Sequence, residues 1–403
     1  MTQPRVYAST RRAFLAAGGA MFAWPFMTHF AGAAGGRDPR LVVLVLRGAL
    51  DGLGVAPPLA DPDYANLHGA IALSGSGERA AFHLDGFFGL HPSMPGFARM
   101  WRAQNALIAH AVSTPYRNRS HFDGQDVLES GYPAPGRVDS GWLNRAVSLL
   151  PKGERTQPAR GLAVGALTPL VIRGPAPIVG WSLAEAPNYP GDLIDRIMAL
   201  YDRTDPRLHE ALSQGLGVDA LARQMGQTSM GPGQAMRAPA RGAARLLAAD
   251  DGPRVAALVF DGWDTHANEG GPNGRLAQLL SGLDGAFEEF ETGLGVAWKD
   301  TVIVAITEFG RTARVNGTLG TDHGVATAAL LAGGAVRGGR VLADWPGLKD
   351  HQLHEGRDLR ATMDLRALLK GVLRDHLDLP AGTLANIVFP GSQYLAPMDG
   401  LIA

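Results

Sequence analysis

The chain has 403 residues, no cysteine, and 37 basic against 38 acidic side chains. A charge so close to zero leaves no basic footprint for nucleic acid and no polybasic stripe for a membrane surface. Without thiols there are no disulfides, no cysteine nucleophile and no cysteine-ligated zinc or iron–sulfur site, so any metal must be held by His, Asp and Glu.

The N-terminus reads as an address. Ser9-Thr10-Arg11-Arg12-Ala13-Phe14-Leu15 precedes an apolar run reaching Phe30, and small residues Ala31-Gly32-Ala33 close it. A charged start, an apolar middle and a small-residue end make a secretory signal. The paired arginines followed by Phe14 and Leu15 resemble the twin-arginine type, read by a receptor that exports folded proteins. Trp24, Pro25 and His29 interrupt the apolar stretch, which argues against a retained span. Residues 1–33 are therefore expected to be a signal peptide that engages the twin-arginine export machinery. Residues 34–403 are expected to form a periplasmic or otherwise extracytoplasmic domain with no stable membrane span.

Further along, Leu41–Leu46 is a continuous apolar run rich in β-branched residues, the pattern of a strand buried on both faces. Similar runs recur at 107–112, 255–260 and 301–306, with a weaker one at 328–332. Leu276, Leu279, Leu280, Leu283, Phe287 and Phe290 keep helical spacing, as do Leu365, Leu368, Leu369, Val372, Leu373 and Leu377, with Asp364 as N-cap. Strand, helix, strand in this order predicts one large α/β domain with a mainly parallel sheet covered by helices. The stretch 150–250 is the least legible: Pro-rich turns, then a helix-prone Ala/Arg segment around Met236 to Ala249, open to reading as a cap or insertion.

Ligands of open α/β sheets gather at the carboxyl ends of the strands. There the sequence places Arg47-Gly48-Ala49-Leu50-Asp51, Arg119-Ser120-His121, Asp264-Thr265-His266 and Glu308-Phe309-Gly310-Arg311; Asp322-His323 stands just before the last strand. Asp264 and His266, two apart, reach one side of an extended backbone and suit one metal; otherwise Asp264 caps a turn. Of Asp322 and His323, one faces a shared ion and the other orients it from behind or caps a turn. Asp51, before a glycine, is either a ligand or a tight-turn residue. Ser120 is either the N-cap of a helix starting at His121 or a nucleophile whose oxyanion that helix would stabilise. Glu308 at a buried strand end needs a partner, and Arg311 or a cation would serve. His83, Asp85 and His91 read as loop or packing residues, and His351 and His354 as surface. No Gly-x-Ser-x-Gly elbow and no Walker-type lysine are present.

Taken together, LRGALDGLGVAPP from Leu46, RSHFDGQDVLESG from Arg119, GWLNRA from Gly141, FDGWDTHAN from Phe260, TEFGRT from Thr307, GTDHG from Gly320 and GGAVRGGRVLADWPGL from Gly333 resemble a family of twin-arginine-exported bacterial proteins. That family is catalogued as a domain of unknown function and grouped with the alkaline phosphatase and sulfatase superfamily. The resemblance runs from about Leu41 to Gly391 and implies an alkaline-phosphatase-like three-layer α/β sandwich that hydrolyses phosphate or sulfate esters with metal assistance. The superfamily's order of site residues is matched by Asp51, Ser120, Asp264 with His266, Glu308, and His323. Two departures stand out: Glu308-Phe309 replaces an Asp-His pair, and the spacing of Asp264 to His266 is short. The implied chemistry is a divalent cation (Zn, Mn, Mg or Ca) on Asp264, His266 and His323, with Asp51 and Glu308. Ser120 or a metal-bound water would attack a small anionic ester or polymer ligand, with Arg311, Arg119 and His121 supplying charge. The alternative is a non-catalytic periplasmic binding or assembly protein that keeps the fold.

Overall fold

Strand β1 (Arg40–Arg47) sits in the middle of the sheet, between two parallel neighbours, β7 (Val255–Asp261) and β8 (Thr301–Ile306). Successive side chains of a strand point to opposite faces. Val42, Leu44 and Leu46 therefore enter one apolar core, and Leu41, Val43 and Val45 enter another on the far side. That is why the run is apolar without alternation. The computed structural model describes residues 37–136, 138–151, 161–182, 197–198, 200–201 and 234–403. The signal expected over 1–33 and much of 150–250 lie outside the described residues.

From Pro39 onward the described chain builds a nine-stranded, mostly parallel sheet in the order β10-β4-β9-β8-β1-β7-β5-β6, with β11 beside β4. The remaining strands of that sheet are β4 (Ala106–Ser113), β5 (Gly161–Val164), β6 (Ile178–Trp181), β9 (Thr327–Ala332), β10 (Arg340–Leu342) and β11 (Met363–Asp364). A separate hairpin joins β2 (Phe82–His83) to β3 (Gly89–Leu90). Among the described strands of the main sheet, only β9 runs against its neighbours. No helix intervenes between β8 and β9, and without a crossover the chain returns antiparallel. This reversal has a consequence for the site: the amino end of β9, and Asp322-His323 before it, lie at the same edge as the carboxyl ends of β1, β4, β7 and β8.

Helices cover both faces. In chain order they include α1 (Gly52–Val55), α2 (Tyr64–His68), α3 (Pro95–Arg102), α4 (His121–Ser130), α5 (Trp142–Leu149), α6 (Gln234–Ala248), α7 (Arg275–Leu294) and α8 (Leu365–Leu377). Phe97 of α3, Ala243 of α6 and Phe287 of α7 share the first core; Trp142 of α5 and Leu368 of α8 share the second. Helix–sheet–helix is the mainly parallel, helix-covered sheet that the strand and helix order predicts, in the three layers that the family resemblance implies. Strands β5 and β6 and helix α6, which fall inside 150–250, belong to the main sheet and its cover. No helix among the described residues is long and apolar enough to cross a membrane.

Asp364 does cap α8: its Oδ1 accepts the Arg366 N–H at 2.9 Å, and Oδ2 pairs with the buried Arg366 guanidinium at 2.8 Å. Asp364→Ala is expected to cost about 1–2 kcal/mol. Chemical denaturation would measure it, and an unchanged midpoint would remove the capping role.

Candidate metal centre

Asp264 owes its place to a glycine. After β7 the chain turns through Gly262 and the buried Trp263, whose N–H donates to Arg47 O at 3.2 Å. Gly48 passes directly beneath with φ +121°, and a Cβ there would stand 2.4 Å from Asp264 N. Only glycine tolerates both the conformation and the approach. The N–H of Gly48 also donates to Glu308 Oε1 at 2.9 Å, tying the end of β1 to the end of β8.

Around Asp264 three imidazoles converge. His323 Nε2 lies 3.4 Å from Oδ1, His266 Nε2 3.1 Å from the same oxygen, and His121 Nε2 3.5 Å from Oδ2. One ligand atom from each of His121, Asp264 and His323 falls within 4.8 Å of the others, the spacing of a cation's first coordination sphere. His266 Nε2 approaches His323 Nε2 to 3.0 Å. The far nitrogens are fixed from behind. His323 Nδ1 lies 2.9 Å from Arg119 O, and a carbonyl can only accept, so Nδ1 carries the proton and leaves Nε2 a lone pair. His121 Nδ1 donates to Glu308 Oε1 at 2.8 Å with the same result. Asp322 Oδ1 sits 3.2 Å from His266 Nδ1, on the far side of that ring from Asp264.

Electrostatics agree with these contacts. Burial pushes the Asp264 carboxyl up, but the Arg311 guanidinium at 2.7 Å, with His266 and His121, holds it below the ordinary range. Glu308 is fully buried, which raises it; the bonds from His121, its own backbone, Gln125 and Gly48 outweigh that and keep it ionised. The Glu308 bond in turn raises His121. His323 is lowered by burial, reinforced by the nearby His121, which suits a neutral ligand. Arg311 is fully buried, and its Nε donates to Thr321 Oγ1 at 3.1 Å while one terminal nitrogen donates to Thr321 O.

Of the residues singled out by sequence, Asp264, His266, His323, His121 and Arg311 are thus brought together. Glu308 reaches the centre through His121. Ser120 occupies the N-cap position of α4, yet its side chain makes no capping bond. Asp51 points elsewhere: its Oδ1 accepts Leu53 N–H at 3.0 Å at the head of α1, and Oδ2 lies 3.0 Å from His68 Nε2, both residues fully buried. Arg119 is spent on Asp358 and Glu355. His91 is a satisfied interior histidine, accepting from Ser93 N–H and donating to Gly271 O, with burial pushing it down to about 4. Asp85 accepts from the Phe87 and Phe88 N–H groups in a turn. Three contributors carry no sequence signal: the Arg119 carbonyl, Gln125, and Asp358 in the turn beside His354.

The sequence matches the family described as "Protein of unknown function (DUF1501)" over residues 91–387, well over half of the chain. No curated protein matches it. Among solved structures it is similar to Ps i-CgsB in complex with k-i-k-neocarrahexaose, at 10% identity and a TM-score of 0.39, over 76% of this chain and 68% of that one. It is also similar to the phosphonate monoester hydrolase of Agrobacterium radiobacter, at 11% identity and a TM-score of 0.33, over 78% and 73% of the two chains. A protein in the alkaline phosphatase superfamily from Vibrio parahaemolyticus gives 13% identity and a TM-score of 0.33, over 74% of this chain and 61% of that one. At such identities and TM-scores the likenesses carry no argument about activity, which rests on the side chains themselves.

Proposed function

We propose a function from the premise that the chain belongs to this DUF1501 family: it is an exported, metal-dependent hydrolase of phosphate or sulfate esters. His121, Asp264 and His323 would hold a divalent cation, with His266 at their side. One observation carries this reading. His121 Nε2 is buried without a hydrogen-bond partner among the described residues, and it converges with His323 Nε2 on the Asp264 carboxylate. Two lone pairs and an anion facing one another want a cation between them. Imidazole-rich N/O ligation suits Zn²⁺ best, ahead of Mn²⁺, Mg²⁺ and Ca²⁺, which favour oxygen.

When bound, such an ion supplies Lewis-acid polarisation of an anionic ester. The protein's own groups do the rest. Glu308 and the Arg119 carbonyl hold the Nδ1 protons of His121 and His323 and so aim both Nε2 atoms at the centre; Arg311 keeps Asp264 ionised. Ser120, at the head of the ten-residue helix α4, is the candidate nucleophile, since a helix N-terminus favours the alkoxide it must become. Export by the twin-arginine route fits a protein that folds around its metal before translocation.

The test is metal analysis of the folded protein, followed by aryl phosphate and aryl sulfate assays with Zn²⁺ and Mn²⁺. Turnover that Ser120→Ala lowers by about three orders of magnitude or more supports Ser120 as nucleophile. A protein that takes no divalent ion and leaves every ester intact sinks the catalytic reading. Ligand binding without turnover, unmoved by Ser120→Ala, would assign the cleft to binding instead.

A further inference from the structure

We propose that Asp358 is a positioning residue of this centre, holding His323 in one tautomer and one orientation through two arginines. The proposal rests on the metal reading of His121, Asp264 and His323. Asp358 lies 35 residues beyond His323, in a turn closed by mutual backbone bonds with His354 at 2.8 and 3.0 Å. Its side chain is 0% exposed. Oδ2 accepts from Arg119 Nε at 2.9 Å and Nη2 at 2.6 Å; Oδ1 lies 3.4 Å from Arg357 Nε.

Each arginine then acts on His323 from a different side. The backbone carbonyl of Arg119 receives the His323 Nδ1 proton, and Arg357 Nη2 donates to the His323 carbonyl. Arg119 adopts φ +61°, a left-handed conformation that a non-glycine residue keeps only when its surroundings lock it. The Asp358 carboxylate is that lock. Moreover, Arg119 immediately precedes Ser120 and His121, so the same carboxylate sets where α4 begins. Bridges from Thr312 to Asp358 and from Arg311 to His323 tie the turn to the strand end that carries Arg311. An ordinary buried ion pair would fasten two elements; this one fastens the acceptor on which a ligand's tautomer depends.

Co²⁺ serves as the probe, because its visible spectrum reports ligand geometry. The full-length protein is expected to bind Co²⁺, and folded Asp358→Asn to bind it about ten- to a hundredfold more weakly with a changed spectrum. Arg119→Ala, whose side chain is 20% exposed and whose backbone carbonyl survives, should do the same and covers the case in which Asp358→Asn does not fold. Because both act on one carbonyl, the double variant should be no weaker than the worse single one. Wild-type affinity and spectrum in either folded variant overturns the proposal. Should the unaltered protein bind no Co²⁺, the metal reading fails. The positioning claim is then read separately from imidazole ¹⁵N shifts: His323 as one Nδ1–H tautomer in the unaltered protein and a mixture in the variants. A single unchanged tautomer in the variants overturns it.

Discussion

Asp264→Ala is expected to abolish metal binding and to destabilise the metal-free fold, two effects that Asp264→Asn separates. Arg311 is fully buried and makes its one ion pair among the described residues with Asp264. Breaking a buried pair by removing one partner typically costs ~3–5 kcal/mol. Here the Asp264 side chain is 40% exposed, so water reaches the gap and the expected loss is about 2–3 kcal/mol. Asparagine keeps an acceptor oxygen for Arg311 and should recover roughly half of that by restoring the hydrogen bond. It does not restore the anion that faces His121 and His323. Zn²⁺ at a hundred times its Kd should therefore add about 2.7 kcal/mol to the unaltered protein and nothing to either variant. Denaturant unfolding with and without Zn²⁺ gives all three numbers. Equal Zn²⁺ stabilisation of Asp264→Asn and the unaltered protein would falsify the assignment of Asp264 as a ligand.

How far the sequence reaches follows from what each residue's role depends on. Strands β1, β4, β7, β8 and β9 are legible because burial on two faces forces continuous apolar runs, and α7 and α8 because one-sided burial forces helical spacing. Short elements such as β5, β6 and α3 have too few residues to establish a period. The candidate site is legible where a strand end delivers a residue directly, as with Asp264 and Glu308. It is less legible where the role is set by what stands behind the residue. His121 reads as a source of charge in sequence, yet its Nδ1 bond to Glu308 turns Nε2 towards Asp264 and gives it a ligand's geometry. Asp51 shows the opposite: its place after β1 suggests the site, but the turn into α1 carries its carboxylate inward to His68. Asp358 is invisible in sequence since only folding brings its turn to Arg119, 239 residues away.

The region into which Asp51 turns leads to the largest stability effect. Glu269 is fully buried there; its Oε2 accepts from Thr321 Oγ1 at 2.6 Å, and Oε1 is buried without a hydrogen-bond partner among the described residues. Burial first, and then the nearby Asp51 carboxylate, push Glu269 up to about 8. His68 beside Asp51 is raised and Asp51 lowered, each held against burial by the other. At neutral pH the folded protein thus keeps a proton on Glu269 that the unfolded chain has lost. The unfolded state binds fewer protons there, so stability falls as pH climbs from the ordinary carboxylate range to about 8, and the fall ends above it. Glu269→Gln removes that penalty. Its amide oxygen can still accept from Thr321, and its NH₂ group takes the orphaned position near the Asp51 anion. The variant should gain on the order of 3–5 kcal/mol at pH 8 and almost nothing at pH 4.5. The Asp51–His68 pair is present in both proteins: its His68 part is lost as pH rises through the raised imidazole value, and its Asp51 part as pH falls through the lowered carboxyl value. The difference between the two unfolding curves therefore reports Glu269 together with its interaction with that pair. An advantage that does not grow between pH 5 and 8 would mean that Glu269 is ionised in the fold. His68 would then be balancing two carboxylates, and Thr321 would hold Arg311 against a charged partner.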